Sequence, residues 1–332
     1  MKNINQLSVV IPTYNREKYL DLLLEKHIDI FKQLNIPVYI FNNASTDGTA
    51  KIIEKWTAKY DLISSKNNDG EVVHPDRSFE NALKLSNTKY RWLLGDSYCL
   101  SPQLVSHVSN LIAEGGDVDL YILNLNNIVI NRPSSIYSKQ DQILSNFATL
   151  VACVGCQVYN EKIINNDLFE KHIGTSFVQL GIVLDYINDN DFQAQWVQEY
   201  SVTPLSIPGV IKRNWSHGIV DRSVLEIGAV DWTNLILSLP DAYPMESKLR
   251  AIRNFGKQTK VFTIRGLMLM RANGHLTYAN YKKFSKEIGF LVKYPSVVVI
   301  IALTPIFLLK SACIIFTSIF NRKKTRQWCL NE

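Results

Sequence analysis

Three short polar stretches carry side chains that could bind a phosphorylated ligand, and each directly follows an apolar run. They are residues 13–16, 42–49 and 95–98. The last stretch contains a single carboxylate, Asp96, which is followed by Ser97 and Tyr98 rather than by further acids. Mg²⁺ commonly takes one or two carboxylates together with substrate phosphates and water. One acid at this point could therefore hold both a metal ion and a phosphorylated substrate.

The first stretch, Pro12-Thr13-Tyr14-Asn15, could contribute to a nucleotide site. It offers backbone groups and a hydroxyl to a base or ribose, and the Tyr14 ring could stack on the face of a base. The alternative is a strand-to-helix turn that caps the following helix. Asp47, which precedes the helix-like sequence "GTAKIIEKW", is interpreted as part of such a turn and cap.

The elements that position these residues alternate between strand-like and helix-like patterns. Apolar runs at 7–12, 38–42, 62–66 and 90–94 are separated by amphipathic stretches at 17–34, 49–60 and 77–86. This alternation predicts an α/β fold with a mostly parallel sheet that helices cover on both faces. Further strands, antiparallel or mixed, are expected at 119–130 and 156–160. In such a sheet, ligands bind outside the carboxyl ends of the strands, where the three polar stretches lie.

Composition excludes a disordered chain. With 332 residues and 46% hydrophobic content, the chain can bury a substantial core. The net charge of +6 favours anionic ligands or surfaces without distinguishing among them. The five cysteines do not form a disulfide framework for a chain of this length, which fits a reducing compartment. The first residues do not have the pattern of a secretory leader.

Three regions are predicted along the chain: a catalytic domain over 1–223, a basic helical region over 224–292 and an apolar tail over 293–332. The tail contains an apolar stretch at 297–320, interrupted by Pro305 and Lys310, and it ends in a basic cluster. This length could span a bilayer or form a hairpin in one leaflet, with Lys310 reaching the headgroups. A buried helical pair is the alternative. The basic end predicts a cytoplasmic location for the tail's terminus.

Four motifs carry a family resemblance over roughly the first hundred residues. They are "SVVIPTYNREKYLDLLL", "VYIFNNASTDGTAKII", "HPDRSFENAL" and "YRWLLGDSY". In this order they resemble the family 2 glycosyltransferases of the GT-A (Rossmann-like) fold. The combination of "NNASTDGT" and "PDRSF" is similar to the branch that contains abequosyltransferases and other bacterial O-antigen or capsule sugar transferases. The resemblance implies a site for a nucleotide sugar.

The resemblance also implies roles for particular residues. Asn42 stands where the family usually has an aspartate that accepts a hydrogen bond from the base, and an amide can both donate and accept there. Asp76 and Arg77 are expected beside the nucleotide, with a helix N-cap as the alternative role for Asp76. Asp96 is expected to bind a divalent metal, Mg²⁺ or Mn²⁺, where the family usually has two acids.

The catalytic and diphosphate-binding groups are expected further along the chain. Lys212, Arg213 and His217 lie in "IKRNWSHGIVDR" and could stabilise a departing diphosphate, with a solvated basic loop as the alternative. An inverting transfer needs a carboxylate near the acceptor hydroxyl. Asp185, in "VQLGIVLDYINDND", is the candidate base, and an exposed helix position is its alternative interpretation.

The expected function is transfer of a sugar from a nucleotide-diphosphate donor to a lipid-linked glycan, at the cytoplasmic face of the inner membrane. No nucleic-acid partner is expected. One rival is a catalytically degenerate GT-A scaffold within a glycan-assembly complex, because the acidic motif is reduced to Asp96. A nucleotidyltransferase is disfavoured because "IPTYNRE" lacks a glycine-rich phosphate loop.

Overall fold

The computed structural model describes residues 6–164, 168–208, 210 and 223–309. The chain divides into two compact units. The first comprises Met1–Pro208 and Pro240–Pro244, and the second comprises Gly209–Leu239 and Met245–Glu332.

The first unit is built around a mixed sheet to which the described residues contribute nine strands. The strands are β1 (Leu7–Thr13), β2 (Val38–Asn42), β3 (Ile63–Asn67), β4 (Tyr90–Leu93), β5 (Tyr98–Cys99), β6 (Leu120–Leu125), β7 (Ser135–Tyr137), β8 (Gln157–Asn160) and β9 (Ala194–Pro204). Their order is β3-β2-β1-β4-β8-β6-β9-β5, and β7 pairs with β9. The first four strands are parallel, whereas β8 is antiparallel to both β4 and β6. The predicted α/β fold class is therefore confirmed, as is the mixed pairing of the later strands.

Helices follow most strands of this unit. They are α1 (Glu17–Gln33), α2 (Thr49–Thr57), α3 (Pro75–Lys84), α4 (Pro102–Ala113), α5 (Gln140–Val151), α6 (Glu161–Ile164), α7 (Phe169–His172) and α8 (Val178–Asp189). Helix α3 begins two residues before the predicted start at Arg77. The fixed φ of proline suits the first position of a helix, and the His74 side chain accepts a hydrogen bond from the backbone N–H of Asp76 at 3.2 Å.

The core lies on both faces of the parallel strands. All seven residues of β1 are buried, so the sheet is covered on both sides at this strand. Trp92 of β4 is fully buried, and its indole N–H donates to the carbonyl of Gly155 at 2.8 Å. Burial of a large apolar side chain contributes about 1.5–3 kcal/mol. The apolar runs therefore hold the strands in place and leave their polar ends at one edge.

The strand register aligns those ends. Thr13 is opposite Asn42 across the β1–β2 pair, and Asn42 is opposite Asn67 across the β2–β3 pair. Leu93, the last residue of β4, pairs with Val10 of β1. Parallel strands end at the same edge of a sheet, so the residues after Leu93 continue toward the end of β1.

The second unit is helical where it is described. A π-helical turn (Glu226–Asp231) leads into α9 (Trp232–Leu237) and is followed by α10 (Met245–Gln258), α11 (Ile264–Ala272), α12 (Tyr278–Lys283), α13 (Ser285–Leu291) and α14 (Pro295–Leu303). Trp232 stacks on Phe255, with 4.1 Å between ring centroids, and both side chains are buried. Across the described residues, no helix combines the length and hydropathy that a bilayer crossing needs. The predicted tail from Lys310 onward lies outside the described residues.

Candidate active site

A hydroxyl, a carboxylate and a guanidinium meet where β1 and β4 end. The Thr13 hydroxyl donates to Oδ2 of Asp96 at 3.1 Å, and Nε of Arg16 lies 3.6 Å from Oδ1 of the same carboxylate. Asp96 is only 8% exposed. The sheet brings Thr13 and Asp96 together across 83 positions of sequence, and the turn after β1 adds Arg16. The cluster can present one cation and one hydroxyl-bound anion to a ligand.

The end of β2 carries an amide network beside this cluster. Nδ2 of Asn42 donates to the side-chain oxygen of Asn67 at 3.1 Å, and Oδ1 of Asn42 accepts from the backbone N–H of Ser45 at 3.3 Å. Asn43 is fully buried, and its amide bonds both the carbonyl and the N–H of Val73. These bonds fix the loop after β2. They also engage both ends of the Asn42 amide, which was predicted to contact the base.

The turn that contains Pro12 to Asn15 is clasped to the loop after β2. Asn15 has a left-handed backbone conformation with φ of 51°, and its side-chain oxygen accepts from the N–H of Thr46 at 2.7 Å. Asparagine tolerates this conformation better than most residues because its short polar side chain bonds locally. Pro12 is buried, whereas Tyr14 is partly exposed. Tyr14 is therefore the member of this motif whose ring is accessible to a ligand.

Asp76 lies at the start of α3 and is completely buried. Its Oδ2 accepts backbone N–H bonds from Gly174 and Ser176, both at 2.9 Å. Burial raises the pKa of this carboxyl, although the nearby His74 and the N–H donors act in the opposite direction. The carboxylate therefore holds the loop that precedes α8. This role differs from both predicted roles, which were ligand contact and N-cap of α3.

Arg77 is engaged by two acids. Its guanidinium pairs with Glu80 on the same helix and forms a two-bond fork with Glu170, whose oxygens lie 2.6 and 2.9 Å from its terminal nitrogens. Hydrogen bonding to Glu170 raises the pKa of Arg77. These contacts link α3 to α7.

Asp185 lies on α8, seven positions after the helix begins, which is about 10 Å along its axis. Its carboxylate is 2.7 Å from Nε2 of His172 and 2.7 Å from Nζ of Lys171. Burial would raise the pKa of Asp185, but the hydrogen bonds from these two side chains lower it overall. The structure thus associates the candidate base with α7. Lys212, Arg213 and His217, the other predicted diphosphate-binding groups, lie outside the described residues.

The residues present do not fit a resident divalent metal. Within the described part of the chain, no cluster of three or more histidine, cysteine, aspartate or glutamate side chains is arranged to hold an ion. A Mg²⁺ ion about 2.1 Å from Oδ1 of Asp96 would lie within about 5.7 Å of the Arg16 nitrogen. At an effective dielectric constant of 20, repulsion between the two cations at that separation is about 6 kcal/mol. The arginine occupies the electrostatic position that a metal would need.

Sequence reasoning placed Arg16 within a polar stretch but assigned it no role. Its position directly after the Pro-Thr-Tyr-Asn motif was the available signal, since residues at that end of β1 face the end of β4. Asn43 and Asn67 were also missed as members of the amide network. Their signal was weaker because side-chain amides are common in turns.

An α/β sheet whose parallel half ends in this polar cluster defines a protein of the GT-A fold. Structural comparison agrees, since TarS 1–349 of S. aureus, solved in complex with UDP-GlcNAc, superposes with a TM-score of 0.54 at 17% identity. That match covers 88% of this chain and 90% of the TarS chain. A second S. aureus TarS structure gives a TM-score of 0.56 at 15% identity, covering 88% of this chain and 50% of that one.

Sequence comparison finds a family match over part of the chain. Residues 8–168 match the family model "Glycosyl transferase family 2". A stretch of 115 residues is 32% identical to the abequosyltransferase RfbV of Salmonella typhimurium. The chain spans about a third of that relative's length, because the alignment covers 34% of each protein. The chain is therefore similar to family 2 glycosyltransferases over residues 8–168 and to an abequosyltransferase over a third of its length.

Proposed function

We propose that this protein transfers a sugar from a nucleotide-diphosphate donor to a lipid-linked glycan during synthesis of a bacterial surface polysaccharide, either O-antigen or capsule. The observation that carries the proposal is the cluster of Thr13, Arg16 and Asp96 at the carboxyl edge of a family 2 domain. This edge is where α/β sheets bind ligands. Two similar proteins, an abequosyltransferase and a TarS solved in complex with UDP-GlcNAc, support a nucleotide-sugar donor.

The nucleotide is proposed to lie across the ends of β1 and β2. Tyr14 is partly exposed and can stack on a base, while backbone groups of Pro12, Thr13 and Asn15 border the same turn. Asn42 would read a base edge only by exchanging one of its present bonds for one to the base. Asp76 and Arg77 act on this site by holding the loop before α8 and the α3–α7 contact.

Asp185 stays a proposal as the catalytic base. The hydrogen bonds from His172 and Lys171 lower the pKa of this carboxyl, which keeps it ionised at neutral pH but also makes it a weaker base. Arg213 and His217 likewise stay proposed as contacts to the diphosphate. A divalent ion on Asp96 was expected from the family resemblance, but this carboxylate already contacts the Arg16 guanidinium and the Thr13 hydroxyl.

The C-terminal part of the chain supports a membrane-borne acceptor at the cytoplasmic face of the inner membrane. Between residues 245 and 293, the sequence has 11 lysines and arginines but only two acids. Ile300 and Phe307 are 65% and 67% exposed. Each well-placed cation near anionic lipid contributes about 1 kcal/mol. The protein is expected to cosediment with anionic vesicles but not with neutral vesicles. Failure to cosediment with anionic vesicles would contradict this part of the proposal.

Transfer assays test the main proposal. Full-length protein is incubated with UDP-, GDP-, CDP- or dTDP-sugars and a bacterial lipid extract, and both labelled glycolipid and released nucleoside diphosphate are measured. Asp96→Ala should lower transfer by at least about tenfold, since it removes the charged partner of Arg16 at this edge and such charge-assisted contacts are worth about 1.5–3 kcal/mol. Ser97→Ala is the matched control and should retain activity.

A catalytically degenerate scaffold is the second candidate, favoured by the single carboxylate and its existing protein partners. It predicts that folded wild-type protein neither transfers nor hydrolyses any of these donors. Activity that survives Asp96→Ala unchanged would contradict the assigned location of the site, although it would still support an enzyme.

A further inference from the structure

A positive charge is held firmly at the edge where the donor is proposed to bind. Arg16 directly precedes α1, and its backbone N–H donates to the hydroxyl of Thr49 at 3.1 Å. Its guanidinium lies over the ring of Tyr19, 5.1 Å from the centroid. The side chain is only 17% exposed. The backbone bond, the ring and Asp96 thus restrict the cation to the strand ends.

The guanidinium retains the capacity to bind another anion. Its closest acidic contact is the Nε to Oδ1 distance of 3.6 Å, which is an ion pair rather than a short hydrogen bond. Among the described residues, none accepts a hydrogen bond from its terminal nitrogens. A guanidinium presents five N–H donors in a planar fork that matches phosphate oxygens. The remaining donors can therefore bind a diphosphate while Nε stays beside Asp96.

Charge at this point matters because of how sugar transfer proceeds. The bond between the anomeric carbon and the diphosphate oxygen breaks, and its electron pair leaves with the diphosphate. The acceptor hydroxyl oxygen forms the new bond to that carbon and gives its proton to a base. The leaving diphosphate gains one negative charge, which a fixed cation stabilises.

We propose that the guanidinium of Arg16, and not a divalent metal ion, balances the charge of the donor diphosphate, and that Asp96 positions this guanidinium. The inference rests on the proposed function, because it assumes that a nucleotide diphosphate binds at this edge. Asp96 then acts as a positioning residue. A site with one acid at the end of β4 can then bind a diphosphate, because that acid holds the cation that contacts the phosphates.

Binding of nucleoside diphosphates to the full chain tests the proposal. UDP, GDP, CDP and dTDP are titrated calorimetrically in EDTA and then in Mn²⁺, while electron paramagnetic resonance counts the Mn²⁺ bound to protein. For the wild type, one diphosphate should bind in EDTA, and Mn²⁺ should change its Kd by less than about threefold. No Mn²⁺ should bind at the Asp96 carboxylate of the wild type.

Arg16→Gln should weaken diphosphate binding in EDTA by at least about tenfold, because it removes a charge-assisted fork. The same change removes the Arg16 charge from beside Asp96, so Mn²⁺ should now bind there and partly restore affinity. In the double variant Arg16→Gln/Asp96→Asn, Mn²⁺ should no longer restore affinity. If Asp96 had only a structural role, Mn²⁺ would have the same effect on the single and the double variant. Lys18→Gln removes an exposed cation two positions further along the chain, in the first turn of α1, and should bind like the wild type.

The outcomes distinguish failure of the Arg16 hypothesis from failure of the proposed sugar transfer. Diphosphate binding by the wild type that requires Mn²⁺, or wild-type affinity in folded Arg16→Gln protein, would overturn the role of Arg16 and leave sugar transfer standing. Failure of the wild type to bind any of the four diphosphates, with or without Mn²⁺, would instead contradict the proposed function. Unfolding midpoints of each variant confirm that the compared proteins are folded.

Discussion

Replacement of Asp76 by alanine tests whether this buried carboxylate holds the loop before α8. Its Oδ2 accepts two N–H bonds of 2.9 Å, from Gly174 and Ser176, and the residue has no exposed surface. Ser176 has φ of 66°, a conformation that a residue with a Cβ adopts at a cost. Removing the carboxylate therefore takes the acceptor away from two part-buried N–H groups and releases a strained loop.

The expected loss of stability follows from these two donors. A hydrogen bond contributes about 0.5–1.5 kcal/mol between neutral groups and about 1.5–3 kcal/mol to a charged group, so loss of both bonds in Asp76→Ala should lower the free energy of unfolding by about 2–6 kcal/mol. With a slope of about 2 kcal/mol per M, the urea midpoint should fall by about 1–3 M. Asp76→Asn retains one carbonyl oxygen and should lose about half as much. A domain typically has about 5–15 kcal/mol of stability, so the variants should still fold.

Equilibrium urea unfolding at neutral pH, followed by tryptophan fluorescence, measures these midpoints. Asp69→Ala is the matched control, because Asp69 is an exposed acid in the loop after β3 and its removal should leave the midpoint unchanged. Nucleoside diphosphate affinity is measured in parallel on folded Asp76→Asn protein. A wild-type midpoint for Asp76→Ala, accompanied by lost nucleotide binding, would refute the positioning role and favour direct ligand contact.

Three further predictions concern helix stability. Ser101→Ala should cost about 1 kcal/mol, measured as a lower urea midpoint, because the hydroxyl caps α4 by accepting a backbone N–H three residues on at 3.1 Å. Gly181→Ala should cost about 1–3 kcal/mol because the added methyl overlaps the His172 ring, whereas Gly289→Ala has no neighbour within 4 Å and should be neutral or slightly stabilising. The difference in free energy of unfolding between wild type and Asp185→Asn should be constant near neutral pH and shrink below about pH 4. The pKa of Asp185 is lowered from 3.8 in the folded protein, so its carboxylate stabilises the fold above pH 3.8 and this stabilisation is lost as the carboxylate protonates. Equal differences at pH 3 and pH 7 would contradict the last prediction.

Much of the first unit could be predicted because its pattern is local. The runs at 38–42 and 90–94 became β2 and β4 with bounds that differ by at most one residue. Apolar runs interrupted by turn residues report burial on both faces, and burial on both faces is what a parallel strand between helices requires. The polar stretches followed from the same logic, since backbone at the end of a buried strand must return to solvent.

The partners of the site residues were not predictable in this way. The sequence around Asp76 predicts a helix cap or a ligand contact, yet its carboxylate oxygen accepts hydrogen bonds from a loop about a hundred positions away. Asp185 reads as a helix position, and its pairing with His172 depends on how α7 packs against α8. A lone acid gives no signal of which cation will approach it, because that depends on packing between elements.

The amino-acid sequence by itself determined the strands, the helices between them and the concentration of polar residues at the strand ends, because each follows from the periodicity of short segments. Only the tertiary structure decided that Arg16 would face Asp96, with Thr13 on the other oxygen of the same carboxylate. The reason is that strand order and register bring β1 beside β4 although α1, β2, α2, β3 and α3 separate them along the chain. The spacing of residues in the sequence does not predict that β1 and β4 are neighbours.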